Sequence, residues 1–185
     1  GTGFYFRPQG SPGPIIMTNN HICERPGDLD PSRPWIIKTK DDSLIVIKTD
    51  ESVDLCILTA PQLLKDGTYP LRISEDDAKE GDEVWTGGYP GYLGYRVNHG
   101  WIVQRVSTPR PRMDCLRSGN PLIMFFPECM IEAWSNWSSV PAQPGQSGSP
   151  VLNKWGRVVG VIWGYFPPTG SALIVPTDDI RRFLQ

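Results

Sequence analysis

The sequence predicts an all-β fold, a sandwich or barrel in two lobes of similar size, ended at the C-terminus by one short helix. Three observations carry that prediction. Nineteen glycines and nineteen prolines punctuate the 185 residues, at intervals of about eight to twelve residues that suit hairpin turns. Short runs rich in β-branched and aromatic residues lie between them. Nowhere do strand-like and helix-like patterns alternate, as a parallel sheet would require.

Taken in order, the first half offers strands over residues 15–18 (IIMT), 35–39 (WIIKT), 44–47 (LIVI) and 53–59 (VDLCILT). Asp41-Asp42 reads as the hairpin turn joining the second and third runs, and residues 63–65 (LLK) as a short helical turn. The second half offers strands over 83–86, 101–107, 130–134, 158–162 and 172–175. Between the halves, residues 74–81 (SEDDAKEG) form a polar seam suited to an inter-lobe linker. The expected organisation is one domain with lobes at about residues 1–76 and 82–176 and a terminal helix over 177–185. Pro176 stops the last strand, and Thr177 is placed to cap a helix with acids in its first turn and arginines later.

Composition narrows the function classes. With 39% hydrophobic residues, 21% charged residues and a net charge of −2, the chain has an ordinary globular balance. It carries no global positive charge for nucleic acid or an anionic membrane. No apolar run approaches the roughly 20 residues that span a bilayer. Residues 105–117 (RVSTPRPRMDCLR) are locally basic and read as a solvated, proline-stiffened loop. The chain opens straight into Phe4-Tyr5-Phe6 without a leader, as a mature form or a domain excised from a longer protein would. The four cysteines form no CxxC, so neither a zinc site nor any other metal is expected, and no organic cofactor is implied. Cys23 and Cys56 lie in apolar runs and read as packed free thiols; a Cys115–Cys129 bridge is open but not indicated. That usage leans towards a reducing, intracellular compartment.

The chemistry is concentrated in residues 144–151, PGQSGSPV. A serine hydroxyl is protonated at neutral pH and attacks only with a base in hydrogen-bond reach and a third group to orient that base. There are two histidines, His21 and His99. His21 ends the apolar run IIMTNNHIC, whereas His99 stands in VNHG just before a strand; at either place a histidine is commonly a structural, hydrogen-bonded residue. Asp54 is the unusual acid, flanked by apolar residues in SVDLCIL. A carboxylate drawn into a core needs a partner, and an imidazole N–H serves well.

TNNHIC, VDLCIL and PGQSGSPV together resemble the motifs of chymotrypsin-like serine peptidases, in the order His, Asp, Ser. Their flanks are similar to the HtrA/Deg-type and glutamyl-endopeptidase branches. Gly1-Thr2-Gly3-Phe4 resembles the opening strand, and Gly81-Asp82-Glu83-Val84 with Gly88-Tyr89-Pro90-Gly91 the start of the second barrel. Gly160-Val161-Ile162-Trp163-Gly164 and the tail resemble the closing strands and helix. The resemblance covers nearly the whole chain. It implies two antiparallel β-barrels and a serine endopeptidase with its site in the cleft between them: His21 as base, Asp54 as its orienting partner and Ser147 as nucleophile. The backbone N–H groups of Gly145 and Ser147 then form the oxyanion hole. Gln146 stands where digestive members carry an acid, which implies activation unlike that of trypsinogen.

The same resemblance places the primary pocket at Pro141, Ala142, Ile162, Trp163 and Gly164. Glutamyl endopeptidases carry His where this chain has Ile162, and Thr or Ser where it has Ala142. With those polar groups missing and no acid in SSVPAQ to attract a basic side chain, an apolar pocket for a small or medium aliphatic side chain is expected. The implied partner is a protein or peptide substrate, with neither nucleic acid nor membrane. The alternative is a catalytically silent relative that binds peptides in the same groove. An α/β-hydrolase elbow fits poorly, because a strand follows Ser147 and both partners precede it.

Overall fold

The computed structural model describes residues 1–8, 13–24, 34–39, 43–59, 69–112, 115 and 126–185. The expected turn at Asp41-Asp42 and the helical turn over 63–65 lie outside them. The first half forms a five-stranded antiparallel sheet from β1 (Phe4–Phe6), β2 (Ile15–Thr18), β3 (Ile36–Lys38), β4 (Ser43–Asp50) and β5 (Leu55–Thr59), in the spatial order β1-β2-β5-β4-β3. The second half closes into a six-stranded barrel. Its strands are β6 (Glu83–Gly88), β7 (Arg96–Ser107), β10 (Trp134–Pro141), β11 (Pro150–Leu152), β12 (Val158–Phe166) and β13 (Ser171–Pro176), in the ring order β10-β13-β12-β11-β6-β7. A two-residue ribbon, β8 (Arg110–Pro111) with β9 (Met130–Ile131), stands beside the barrel.

Strand β12 explains the apolar run VVGVI. It is buried on both faces, so it lacks the simple alternation of a half-exposed strand. Val159 and Ile162 join the barrel interior with Val84, Ile102, Val140 and Ile174. Val158 and Val161 join a second core with Phe4, Phe6, Met17, Leu55 and Ile57, bringing the barrel wall against the first sheet. The terminal helix, α1 (Thr177–Leu184), inserts Ile180 and Phe183 into that second core.

Several local expectations are corrected. Thr177 does not cap α1: it is the first helical residue, Pro176 holds the cap position, and the Thr177 hydroxyl donates to the Val159 carbonyl at 2.7 Å. The run 130–134 is broken, with β9 ending at Ile131 and β10 starting at Trp134. His99 does not precede a strand but sits inside β7, opposite Trp85.

The cysteine reading is also overturned. Cys23 bonds Cys56 and Cys115 bonds Cys129, leaving no free thiol among the described residues. Antiparallel pairing sets Thr18 opposite Cys56. The turn after Thr18 then carries Cys23 back over β5, to a Cα separation of 6.3 Å. Two disulfides remove the argument for a reducing compartment.

Candidate active site

The end of β2 and the turn before β5 lie side by side because β2 and β5 are paired. After Thr18 the chain enters a 3₁₀ turn, Asn20–Ile22, which carries His21. Across from it residues 51–54 form a turn, so Asp54 lies just before β5 rather than inside a strand. Its φ is 55°, the one positive value outside glycine among the described residues. Asp tolerates this left-handed conformation better than most residues, and the Asn19 side-chain amide donates to the Asp54 carbonyl at 3.0 Å.

That conformation turns the Asp54 carboxylate onto His21. Oδ1 accepts the His21 backbone N–H at 3.0 Å, and Oδ2 lies 2.8 Å from His21 Nδ1. The Asp54 side chain is 10% exposed and that of His21 28%, so the acid is covered while the imidazole reaches solvent. With Nδ1 engaged as a donor, Nε2 is left as the acceptor in neutral imidazole. His99 is placed elsewhere: its Nε2 meets Glu83 Oε1 at 2.6 Å on the exposed barrel surface, between Trp85 and Trp101.

Ser147 sits on a tight loop between β10 and β11. Gly145 and Gly148 have φ of 98° and 88°, values that an L side chain rarely adopts. A Cβ on Gly145 would stand 2.4 Å from the Tyr89 carbonyl oxygen, and one on Gly148 would stand 1.9 Å from the Thr2 carbonyl oxygen. Gln146 is buried under the loop, where its Oε1 accepts the Gln143 N–H at 2.9 Å. Among the described residues, the N–H groups of Gly145 and Ser147 donate to no protein acceptor.

Thr2 is the residue that motif reading missed. Its N–H donates to the Ser147 carbonyl at 2.7 Å, its hydroxyl to the Gly145 carbonyl at 2.8 Å, and its own carbonyl accepts the Thr18 hydroxyl at 2.6 Å. The N-terminal segment therefore ties the serine loop to the end of β2, the strand that delivers His21. The sequence signals were its place in the Gly1-Thr2-Gly3-Phe4 stretch and a polar side chain just ahead of the apolar run FYF; neither gave it a role at the serine loop.

The Ser147 hydroxyl is 3.5 Å from the Trp163 carbonyl, and no Ser147–His21 hydrogen bond is formed. At 3.5 Å the contact with Trp163 is marginal, and rotation about one side-chain bond re-aims the oxygen. Beside it lies a cavity of about 480 Å³. Of the five residues predicted for the pocket, Ala142, Ile162, Trp163 and Gly164 line it. Pro141 does not; it faces a separate cavity with Leu93, Arg96 and Asn98, and its carbonyl accepts the Asn98 amide at 3.2 Å. Strand alternation turns adjacent residues to opposite faces, so Pro141 and Ala142 part company. Tyr165 and Pro167 complete the wall instead. β12 pairs with β11 only as far as Val161, so beyond Ile162 one edge is unpaired among the described residues. Among the same residues no group of metal-ligating side chains occurs and no helix is long and apolar enough to cross a membrane.

Known proteins agree with this architecture. The family description "Trypsin-like peptidase domain" matches residues 1–161. Two curated relatives from Mycobacterium tuberculosis, the serine proteases MT3772 and Rv3671c, are each 28% identical over 165 residues, 89% of this chain and 36% of theirs. The chain thus spans about a third of their length. The crystal structure of Rv3671c protease in its active form superposes with a TM-score of 0.70 at 23% identity, covering 100% of this chain and 71% of that one. The HtrA-type protease AlgW with decapeptide gives 0.62 at 21% identity, covering 92% and 47%.

Proposed function

The chain belongs to the trypsin-like peptidase domain family, and we propose that residues 1–185 form one serine endopeptidase domain acting through Ser147, His21 and Asp54 by way of an acyl-enzyme. The observation that carries this reading is the two-point clasp of Asp54 on His21, through Nδ1 at 2.8 Å and the backbone N–H at 3.0 Å. It fixes the tautomer in which Nε2 is a base. In the reaction Ser147 Oγ bonds to the scissile carbonyl carbon while its proton passes to His21 Nε2. The carbonyl oxygen becomes an oxyanion, held by the free N–H groups of Gly145 and Ser147. The C–N bond then breaks, the leaving amine takes the proton from Nε2, and water releases the acyl group by the same steps in reverse roles.

The unpaired edge at Trp163-Gly164 supports binding of the substrate as an added strand. The side chain before the scissile bond then enters the cavity lined by Ala142, Ile162, Tyr165 and Pro167. We assign it an apolar preference, because a charged side chain would find no counter-charge on that lining. The Ser147 rotamer facing Trp163 is the one observation that favours the alternative, a silent peptide-binding module.

A fluorophosphonate probe separates the two. The wild-type chain is expected to be labelled at Ser147 and to cleave a peptide library, whereas Ser147→Ala does neither and keeps its melting temperature. An unlabelled wild-type chain, or a Ser147→Ala variant with unchanged turnover, would refute the peptidase reading.

A further inference from the structure

Arg110 is a buried cation for which the mechanism above has no use. It lies in β8, is 4% exposed, and its Nε, Nη1 and Nη2 all lack a hydrogen-bond partner among the described residues. Guanidinium groups taken out of water ordinarily carry a carboxylate or several carbonyls. For stability alone an apolar side chain of similar size would serve as well or better.

What surrounds it is the candidate site. The guanidinium carbon lies 4.4 Å from the centroid of the Trp163 indole, within the range of a cation–π contact. That indole is held from its other end, where Nε1 donates to Ser135 Oγ at 2.9 Å, and Ser135 in turn shares a hydrogen bond of 2.6 Å with Thr108. Burial lowers the Arg110 pKa to about 10, against the opposing attraction of the Asp54 carboxylate. One side chain from the second half of the chain thus touches the residue that walls the pocket and feels the acid that holds His21.

We propose that Arg110 is a positioning residue of the peptidase site, fixing the Trp163 indole that walls the cavity beside Ser147. The inference rests on the peptidase reading above. Held by Arg110 on its face and by Ser135 at Nε1, the indole keeps one orientation towards a bound substrate.

The test uses the full chain, with Arg110→Met to remove the charge and Arg110→Lys to keep it without the planar fork. For Arg110→Met, kcat/KM on peptides is expected to fall roughly tenfold, mostly through KM, because Trp163 walls the cavity and holds no reacting atom. Arg110→Lys should recover KM in part, since it keeps a cation over the indole. A merely structural residue would lower the melting temperature and the active fraction and leave KM where it was, and a KM common to all three proteins overturns the proposal. If Arg110→Met does not fold, Arg110→Gln takes its place. If that also fails, Arg110→Lys decides alone, an unchanged KM counting against the proposal. A cycle of Trp163→Leu and Arg110→Met in a Ser147→Ala background reads stability without catalysis. Coupled effects on the unfolding midpoint are expected, and additive ones refute the contact with Trp163. An unlabelled wild-type chain would sink the peptidase reading, and the stability cycle would then still test the contact by itself.

Discussion

Replacing Gly145 by alanine tests the proposed oxyanion hole with a single methyl group. The residue has φ of 98°, where an L side chain costs on the order of 1–2 kcal/mol. The added Cβ would stand 2.4 Å from the Tyr89 carbonyl oxygen, about 1 Å inside ordinary contact. That neighbour is backbone, and the two loops are joined nearby by the Gly91 N–H donating to the Pro144 carbonyl at 2.8 Å. The loop must therefore give way by an amount that takes a donor out of its 2.7–3.1 Å working range, at a cost of roughly 3–4 kcal/mol in the barrier. The expected result is a fall in kcat of about 10²- to 10³-fold, since the donor acts on the transition state and less on bound substrate. Stopped-flow acylation with an activated ester separates this loss from substrate binding, and circular dichroism checks that the fold persists. A Gly145→Ala variant that keeps kcat within about threefold while folded would show that the N–H of residue 145 is not an oxyanion donor.

Three further outcomes follow from the same site. His21→Ala should abolish hydrolysis while His99→Ala leaves kcat/KM within about threefold, because His99 is spent on an exposed pair with Glu83; the reverse pattern in a peptide assay would overturn the choice of base. A substrate-library profile should favour aliphatic side chains before the scissile bond at least tenfold over Glu, Lys or Arg, since a charge there lacks a partner; dominance by a charged residue would refute the pocket. Removing the Cys23–Cys56 bond by a double alanine substitution should lower stability by about 3 kcal/mol, seen as a shifted denaturant midpoint, and an unchanged midpoint would show the bridge to be dispensable.

Much of the fold was legible in the sequence because local chemistry encodes it. Runs such as IIMT and VVGVI announce strands by composition and length, glycine and proline mark where they end, and the acids and arginines of TDDIRRFL announce the helix. The serine loop was legible for the same reason: PGQSGSPV needs two glycines in backbone conformations that few other residues adopt. Where a run is buried on both faces, as β12 is, it still reads as a strand but gives no hint of which core each side chain enters.

What only the tertiary structure decided are contacts between residues far apart in the chain. Thr2 holds the Gly145 carbonyl across 143 positions, and nothing near Thr2 in the sequence points there. The left-handed turn at Asp54, the pairing of Cys23 with Cys56 and the burial of Arg110 on Trp163 are of the same kind. Each depends on which strands become neighbours and in what register. Pro141 shows how fine that dependence is: adjacent to Ala142 in sequence, it lies on the opposite face of the wall and outside the pocket. A sequence states which side chains are available and which local shapes they favour. The closing of the barrel against the first sheet fixes which of them meet, because a strand's pairing partner and its facing side chains are set by long-range packing that no short window contains.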